Sequence, residues 1–251
     1  MKTVALITGA SAGLGVEFAR QLSKRGHRLV LAARREDRIE TLAGELGNAR
    51  AVAIDLSRAN AASELMANLE KAGEEVEILI NNAGFGQIGQ FAELDPARAR
   101  QMIDLNCGTL TDLCRLAVPA MIARKSGGIV NVASIAAFQP GPKMALYCAT
   151  KAFILFLSEA LHEEVKPHGV HVTALCPGPT RTEFGEVAGF GGSRLFERVA
   201  MESPEVVEAG LKGLDKNRAV VIPGLVNKLV TSGSWLMPRQ WVRKISGSIK
   251  Y

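Results

Sequence analysis

The stretch Val4-Ala5-Leu6-Ile7-Thr8-Gly9-Ala10-Ser11-Ala12-Gly13-Leu14-Gly15 decides the fold of this chain. It begins as an apolar run typical of a buried strand, and its three glycines follow where a helix should start. Glycine allows a tight strand-to-helix turn and lets the backbone approach a pyrophosphate held at the helix N-terminus. Such a pattern is weak evidence alone, but its position directly after the first strand predicts a dinucleotide site.

Apolar runs and amphipathic segments alternate along the 251 residues, which predicts repeated β-α units. Runs such as Ile78-Leu79-Ile80 are continuous, as expected where both faces of a sheet are buried. We predict one α/β domain over residues 1–251, a doubly wound parallel sheet of about seven strands with helices on both faces. The predicted strands are 3–8, 28–33, 50–54, 76–80, 128–132, 170–175 and 218–222, and the predicted helices are 13–25, 35–46, 59–72, 96–124, 147–166, 203–213 and 224–236.

Composition narrows the class of protein. Hydrophobic residues form 47% of the chain, enough for a large core, and no apolar run approaches the ~18–20 residues of a membrane span. We therefore predict no transmembrane segment. The N-terminus enters a strand almost at once, without room for a signal peptide, so we expect a cytoplasmic protein. The four cysteines show no paired spacing, and we predict neither a metal site nor a disulfide.

The net charge of +5 is unevenly distributed, with no acid after Asp215 and a predicted basic helical segment over about 224–251. This segment could be a surface for an anionic partner or substrate, or a solvated face of the terminal helices. We favour the second interpretation, and we predict no nucleic-acid partner, because no groove-reading motif accompanies the charges. The basic residues after Asp215 are Lys216, Arg218, Lys228, Arg239, Arg243, Lys244 and Lys250.

Tyr147 and Lys151 are four residues apart, so on a helix they share a face. An ammonium beside a phenol favours the phenolate and lowers the pKa of the tyrosine from its ordinary value of about 10. A general acid/base that works near neutral pH needs such a pKa. Ser134 follows a predicted strand upstream, where its alternative role is to cap a helix or turn.

Further motifs complete an ordered series over residues 3 to about 182. The chain carries Thr8-Gly9-x-x-x-Gly13-x-Gly15, Asp55-Leu56, Asn81-Asn82-Ala83-Gly84, Asn106, Ser134, Tyr147-x-x-x-Lys151 and Pro177-Gly178-x-x-x-Thr182. With these seven signals it resembles the short-chain dehydrogenase/reductase family, in the form that consists of one Rossmann-like domain. The resemblance implies hydride transfer between a nicotinamide cofactor and a carbonyl or alcohol.

The resemblance also implies catalytic roles. Tyr147 would exchange the proton, and Lys151 would lower its pKa and bind the nicotinamide ribose. Ser134 would hydrogen-bond the substrate oxygen, and Asn106 would complete a proton path to solvent through water. Asn106 by itself would be interpreted only as a polar residue within a helix.

A cofactor site follows from the same resemblance. Asp55 and Leu56 would line the adenine, residues 82–84 would pass beneath the adenosine ribose, and Thr182 would hold the carboxamide. The predicted cofactor contacts are Gly9, Ser11, Gly13, Leu14, Gly15, Arg34, Arg35, Asp55, Leu56, Asn82, Ala83, Gly84, Tyr147, Lys151, Pro177, Gly178 and Thr182.

The choice of cofactor depends on the end of the second predicted strand. An acid there would bind the ribose 2′-hydroxyl of NAD, but Ala33 occupies that position and Arg34 and Arg35 follow. Guanidinium groups suit a phosphate through charge-assisted hydrogen bonds. We therefore predict NADP (NADPH), with NAD as the less favoured alternative, in which the arginines only begin the solvated face of the next helix.

The substrate pocket is expected among residues 85–91, residues 135–146 and a lid over about 179–200. Its apolar side chains suit a hydrophobic ketone, aldehyde or alcohol, although ordinary loop packing would explain any one of them. Alternatives are a 3-oxoacyl-thioester reductase, whose carrier phosphates the basic segment would receive, and a silent dinucleotide-binding regulator, which the complete catalytic set argues against. The apolar side chains are Phe85, Phe138, Met144, Phe184 and Phe190.

The helix that begins near Tyr147 is apolar on every side across Ala152-Phe153-Ile154-Leu155-Phe156-Leu157, so one buried face cannot account for it. A central position within the monomer would explain this pattern. The family resemblance favours a subunit contact instead, and we predict a homodimer or homotetramer.

Overall fold

A computed structural model describes residues 1–183 and 200–248. Seven parallel strands form one sheet in the order β3-β2-β1-β4-β5-β6-β7. The strands are β1 (Lys2–Thr8), β2 (Leu29–Ala33), β3 (Ala49–Ala53), β4 (Glu74–Asn81), β5 (Gly127–Val132), β6 (Val170–Leu175) and β7 (Val220–Val221). The α-helices of the described part are α1 (Gly13–Lys24), α2 (Glu36–Leu46), α3 (Ala61–Lys71), α4 (Pro96–Ile103), α5 (Leu110–Arg124), α6 (Ala145–Val165), α7 (Ser203–Asp215), α8 (Leu225–Leu236) and α9 (Arg239–Ser248).

Each face of the sheet has its own apolar core, because successive side chains of a strand point to opposite faces. Leu6 belongs to the core that includes Leu65 of α3 and Ile154 of α6. Ile7, its neighbour, belongs to the core with Phe18 of α1 and Val207 of α7. Helices α3, α5 and α6 thus cover one face and α1, α2 and α7 the other. The predicted Rossmann-like, doubly wound α/β fold is confirmed.

Three elements differ from the prediction. The helix predicted over 96–124 is interrupted by a π-helical turn, Asp104–Thr109. Such a turn adds one residue to the helical repeat, and the apolar pattern of the sequence does not show this insertion. The last strand has two residues rather than five. Helix α8 ends before Pro238, whose ring holds Met237 in an extended conformation, and the separate helix α9 follows.

The sheet register brings the predicted motifs to one edge. Thr8 pairs with Ala32, Asn81 with Asn131, and Val132 with Leu175, so neighbouring strands end together. In an open parallel sheet, ligands bind in the crevice outside these carboxyl ends. The segments that follow the strands therefore meet in this crevice.

One helical segment of the described residues, Ala145–His168, is long and apolar enough to cross a membrane by length and composition. The sequence analysis predicted no such segment. Within its most apolar window, 44% is buried inside the fold. The segment contains α6, which packs on the sheet, and core helices pass the same test, so it is weak evidence for a membrane span.

Candidate active site

The turn after β1 is shaped by glycine. Gly9 and Gly13 have φ angles of +65° and +54°, which side chains disfavour, and a side chain on Gly15 would clash with the Gly9 carbonyl. The Asn82 amide donates to the carbonyl oxygens of Thr8 and Gly9 at 3.0 and 3.2 Å. Only glycine permits this close packing of the turn, which we call the glycine cradle; it lies at the N-terminus of α1, where the predicted pyrophosphate would bind.

Thr8 joins this turn to the end of β4. Its hydroxyl donates to the Ile80 carbonyl at 3.2 Å and accepts from the backbone N–H groups of Asn82 and Ala83, each at 3.0 Å. The sequence analysis included Thr8 in a motif but gave it no role. These bonds fix the Asn82-Ala83-Gly84 segment beside the glycine turn, where its predicted contact with the adenosine ribose would lie.

Ser134 and Tyr147 come together although they begin different elements. Ser134 caps the 3₁₀ turn Ile135–Phe138 by accepting from the Ala136 N–H at 3.1 Å. Burial raises the pKa of Tyr147, and the hydrogen bond with the Ser134 side chain lowers it by less. The serine therefore serves as a cap and also faces the tyrosine, so the two interpretations from sequence are compatible.

Lys151 lies on the same face of α6 as Tyr147. Its ammonium donates to the Val132 carbonyl at 2.8 Å and lies 5.7 Å from the centre of the tyrosine ring. Burial lowers the pKa of Lys151 to about 8. The sequence predicted a lowered pKa for Tyr147, and in the absence of cofactor this prediction is wrong. Burial disfavours the phenolate and raises the pKa by more than the hydrogen bond with Ser134 lowers it.

Asn106 occupies the π turn and is buried. Its amide nitrogen donates to the Phe85 carbonyl at 2.9 Å and to the Thr150 hydroxyl at 3.1 Å, while its oxygen accepts from the Phe85 N–H at 3.1 Å. Asn106 therefore ties the loop after β4 to helix α6. The sequence analysis missed Thr150, although its position next to Lys151 was a signal. The predicted proton path remains a prediction.

The two arginines predicted to select the cofactor differ in their surroundings. Arg35 donates to the Ser11 hydroxyl at 3.1 Å and to the Ser11 carbonyl at 3.2 Å, which places it beside the glycine turn. Arg35 and Arg38 also bind the two oxygens of the Glu183 carboxylate, at 2.9 and 2.7 Å. Within the described ranges, Arg34 is exposed and has no hydrogen-bond or ion-pair partner. Sequence reasoning missed both Arg38 and Glu183.

Asp55 and Leu56 form a fixed loop after β3. Asp55 accepts from the backbone N–H and the hydroxyl of Ser57 at 3.0 and 2.7 Å. Burial raises the pKa of Asp55, but these hydrogen bonds and the nearby arginines together lower it by more, so the pKa lies below its ordinary value. The Leu56 carbonyl accepts from the Thr109 hydroxyl at 2.5 Å. The loop is thereby attached to the π turn that carries Asn106.

The segment after β6 returns to the glycine turn. The Pro177 carbonyl accepts from the Ile135 N–H at 2.9 Å, and Gly178 packs so closely on Asn227 of α8 that a side chain would clash. A Cβ atom on Gly13 would lie 3.0 Å from the Thr182 Cβ. Thr182 thus faces the predicted pyrophosphate position; its contact with the carboxamide stays a prediction. Most of the predicted lid, with Phe184 and Phe190, lies outside the described residues, as does Lys250.

Apolar residues surround the Tyr147 ring. Phe85 and Met144 form a buried cluster with it, together with Met102 and Cys148. Phe138 instead packs against the core beneath α6. Of the predicted apolar residues within the described ranges, Phe85 and Met144 thus lie beside the tyrosine.

Comparison with known proteins places this geometry in context. The family model for short chain dehydrogenases matches residues 3–189. A short-chain dehydrogenase from Sphingobium yanoikuyae, solved in complex with NADPH, is 37% identical and has a TM-score of 0.81, with 94% of this chain and 95% of that chain covered. The bulky-bulky ketone specific alcohol dehydrogenase of Comamonas testosteroni is 34% identical with a TM-score of 0.78, and 94% of each chain is covered.

Another similar protein is named for a different substrate class. The very-long-chain 3-oxoacyl-CoA reductase of Phaeosphaeria nodorum is 38% identical over 181 residues, which are 68% of this chain. The match spans about half of that relative, 52% of its length. With the family model matching most of the chain and the same fold in its solved neighbours, this protein belongs to the short-chain dehydrogenase/reductase family and is an oxidoreductase that acts on CH–OH or C=O groups.

Proposed function

We propose that the protein is an NADP(H)-dependent reductase of apolar ketones or aldehydes, which forms the secondary or primary alcohol. The observation that carries this proposal is the hydrogen bond between Ser134 and the buried Tyr147 at the edge of the sheet, beside Lys151. This edge also holds the glycine cradle, so a proton donor and a dinucleotide would meet there.

The proposal assigns the two ends of the cofactor to different residues. The glycine turn would hold the pyrophosphate at the N-terminus of α1. Arg35 and Arg38 would hold a 2′-phosphate, since their two guanidinium groups already grip one anionic group, the Glu183 carboxylate. The NADPH complex of the Sphingobium yanoikuyae enzyme supports this choice. Arg34 makes no hydrogen bond or ion pair within the described ranges, although its charge acts on Asp55, and it remains a predicted contact.

When bound, the cofactor supplies a hydride, and the chain supplies the proton and the positioning. Tyr147 would donate its phenolic proton to the carbonyl oxygen of the substrate, and Ser134 would donate a hydrogen bond to the same oxygen. Because burial raises the pKa of Tyr147, the phenol is protonated at neutral pH, as an acid requires. Lys151 would orient the nicotinamide ribose with its ammonium, and Asn106 would hold the loop at Phe85.

The apolar cluster beside Tyr147 supports a hydrophobic substrate. The Comamonas testosteroni enzyme, described as specific for bulky-bulky ketones, is consistent with it. A second candidate function is 3-oxoacyl-thioester reduction, which the Phaeosphaeria nodorum relative favours by its name. Both candidates use the same proton donor, and they differ only in the groups attached to the carbonyl.

We also propose a homodimer or homotetramer in the cytoplasm. Phe153 and Phe156 of α6 are 43% and 66% exposed, although the inner side of this helix is buried in the core. Burial of such large side chains on association is favourable. The outer face of α6 is therefore the proposed subunit contact.

A substrate panel tests the function. Oxidation of NADPH would be followed by its loss of absorbance, with ketones, aldehydes and 3-oxoacyl thioesters of increasing apolar size as substrates and with NADH in parallel. We expect bulky apolar ketones to be reduced with NADPH preferred. Reduction of thioesters alone would favour the second candidate, and equal use of NADH would contradict the cofactor assignment.

A further inference from the structure

Helix α8 has its polar and apolar sides exchanged. Asn227 and Thr231 are buried, while Leu225 and Leu229 are 73% and 66% exposed. Val226, on the same outer side, is also exposed. A surface helix ordinarily turns its apolar stripe toward the core and its polar residues toward water. The arrangement in α8 therefore indicates that something other than this chain's own core covers the outer side.

The buried polar residues of α8 are satisfied where they lie. The Asn227 amide donates to the Pro223 carbonyl at 2.8 Å, and the Thr231 hydroxyl donates to the Asn227 carbonyl at 2.9 Å. Hydrogen bonds of this local kind let a polar side chain be buried without an orphaned group. On its inner side Asn227 also packs on Gly178, next to the candidate active site. The orientation of α8 is thus fixed by contacts, and its apolar side must face outward.

Helix α9, which follows α8 in the chain, also exposes apolar side chains. Trp241 and Ile245, one helical turn apart, are 59% and 50% exposed, whereas Val242 and Ser246 are buried. The Ser246 hydroxyl donates to the Val242 carbonyl at 2.7 Å, again within the helix. We name the exposed apolar side chains of the two helices and the basic residues among them the C-terminal surface. It consists of Leu225, Val226, Lys228, Leu229, Val230, Arg239, Trp241, Arg243, Lys244 and Ile245.

The charge of this surface has one sign. Lys228, Arg239, Arg243 and Lys244 are exposed, and the sequence contains no acid after Asp215. Exposed apolar side chains flanked by lysine and arginine are typical of helices that lie in the plane of a membrane interface. Tryptophan is enriched at the same depth, where its ring is amphipathic.

We propose that the C-terminal surface docks on an anionic membrane surface, with α8 and α9 lying in the plane of the interface. The apolar side chains would enter the boundary between headgroups and acyl chains, and the basic residues would bind lipid phosphates. A second copy of this chain is a poorer occupant. A symmetric contact would place the four basic residues of each copy against those of the other, with no acid from this segment to pair with them.

Vesicle flotation of the full chain tests the proposal. Vesicles would contain phosphatidylcholine alone or an equal mixture with phosphatidylglycerol. We expect the protein to float with the mixed vesicles, to bind phosphatidylcholine much less, and to be released by salt. Arg243→Glu/Lys244→Glu should weaken binding by at least about 25-fold, since each basic residue near such a surface contributes about a fivefold effect and the two glutamates are repelled by the anionic lipid. Leu225→Ser/Leu229→Ser should weaken it as well.

A matched variant separates this surface from general effects. Lys24→Glu/Lys71→Glu changes the net charge equally but reverses two exposed lysines of α1 and α3, and it should bind vesicles like the wild type. Thermal denaturation would verify that each variant is folded.

Three results would overturn the proposal. The first is the absence of flotation with the mixed vesicles, and the second is an equal loss of binding in the Lys24/Lys71 control. The third is light scattering that shows Leu225→Ser/Leu229→Ser splitting a dimer that does not bind vesicles, because a second copy would then cover the surface. Vesicle binding needs neither cofactor nor turnover, so its outcome is independent of the proposed reductase activity.

Discussion

The two ends of the proposed dinucleotide crevice are held in place by different kinds of contact. At the chemical end, Tyr147 and Lys151 are each only 6% exposed, and the lysine is held by the backbone carbonyl of Val132. At the predicted adenosine end, the Arg35 side chain is 40% exposed and is held in part by another exposed side chain, Glu183. The first end is fixed by buried contacts, whereas the second is held by ion pairs that water can replace.

This difference separates two tasks. Proton transfer needs a donor within hydrogen-bond distance of one oxygen, and a displacement of about 1 Å can cost about a hundredfold in rate. Discrimination between a 2′-phosphate and a hydroxyl needs charge, and a charge on a flexible stem can still reach its anion. Substitutions at the chemical end should therefore change turnover or stability. Those at the adenosine end should change cofactor preference alone.

The largest expected effect is that of Tyr147→Phe. The ring keeps its packing beside Phe85 and Met144, so folding and cofactor binding should be normal. Turnover should fall by more than the ~10²–10⁴-fold of a general acid, because polarisation of the carbonyl is lost with the hydroxyl. Steady-state kinetics with the best substrate of the panel measures this. A variant that retains more than about a tenth of the wild-type kcat would remove Tyr147 from the mechanism.

Lys151→Met tests, through the pH dependence of stability, whether the lysine at the chemical end is buried as a charge. The pKa of Lys151 is about 8 in the fold and has a model value of 10.5. Between these pH values the unfolded chain binds more protons, so the free energy of unfolding of the wild type rises with pH in this window. Below about pH 8 both states are charged and the penalty of burying the ammonium is fully present, on the order of 3 kcal/mol. The methionine variant should lack this rise.

Urea denaturation at several pH values from about 7.5 to 10.5 measures the rise. Lys71→Met, at an exposed lysine of α3, is the control and should keep the wild-type slope. Other groups titrate in both proteins, so the difference between the two curves isolates Lys151. Parallel curves for the wild type and Lys151→Met would show that the lysine is not buried as a costly charge.

At the adenosine end, Arg35→Ala/Arg38→Ala should reduce the preference for NADPH over NADH roughly thirtyfold in kcat/KM. Each charge-assisted bond contributes about 1.5–3 kcal/mol, and the exposure of both side chains reduces this contribution. Arg34→Ala removes an exposed arginine that makes no hydrogen bond or ion pair within the described ranges and only acts on Asp55 through its charge; it is the matched control and should change the preference much less. The reverse order of effects would restore Arg34, with Arg35, as the phosphate ligand predicted from the sequence.

The contrast between the two ends also explains what the sequence could predict. The glycine turn spans one strand, one turn and one helix, and Tyr147 and Lys151 lie four residues apart on one helix, so local spacing was sufficient. The fold followed from apolar runs that are buried on both sides of the sheet. Local patterns of this kind remain visible without any knowledge of tertiary contacts.

Most of the features missed from sequence depend on residues that are distant along the chain. Glu183 binds Arg35 across 148 positions, and Asn106 binds Thr150 across 44. The pKa of Tyr147 was predicted from its neighbour Lys151, whereas burial by the whole fold determines it. The π turn was missed because the apolar pattern does not show which backbone carbonyl accepts the hydrogen bond of each N–H. Propensity and spacing carry no information on such contacts.

The smallest expected effect is that of Glu183→Gln, and it tests whether the adenosine end is exchangeable. The carboxylate binds Arg35 and Arg38 where the proposed 2′-phosphate would bind, so the phosphate must displace it. Hydrogen bonds from both arginines lower the pKa of Glu183, which keeps it charged at neutral pH. Glutamine keeps the shape but loses the charge. Exposed ion pairs contribute about 0.2–1 kcal/mol each, so the KM for NADPH should fall about threefold.

The KM for NADH should stay the same in Glu183→Gln, because NADH has no phosphate to compete with the carboxylate. Salt should reduce the difference between variant and wild type, since exposed charges are screened. Glu202→Gln, which removes the exposed ion pair with Arg181 in the same region, is the control and should leave both constants unchanged. Equal falls in the KM for NADPH and NADH would contradict competition for the arginines. They would show instead that Glu183 positions the Thr182 segment for both cofactors, and Glu183 would then affect dinucleotide binding in general rather than the choice between NADPH and NADH.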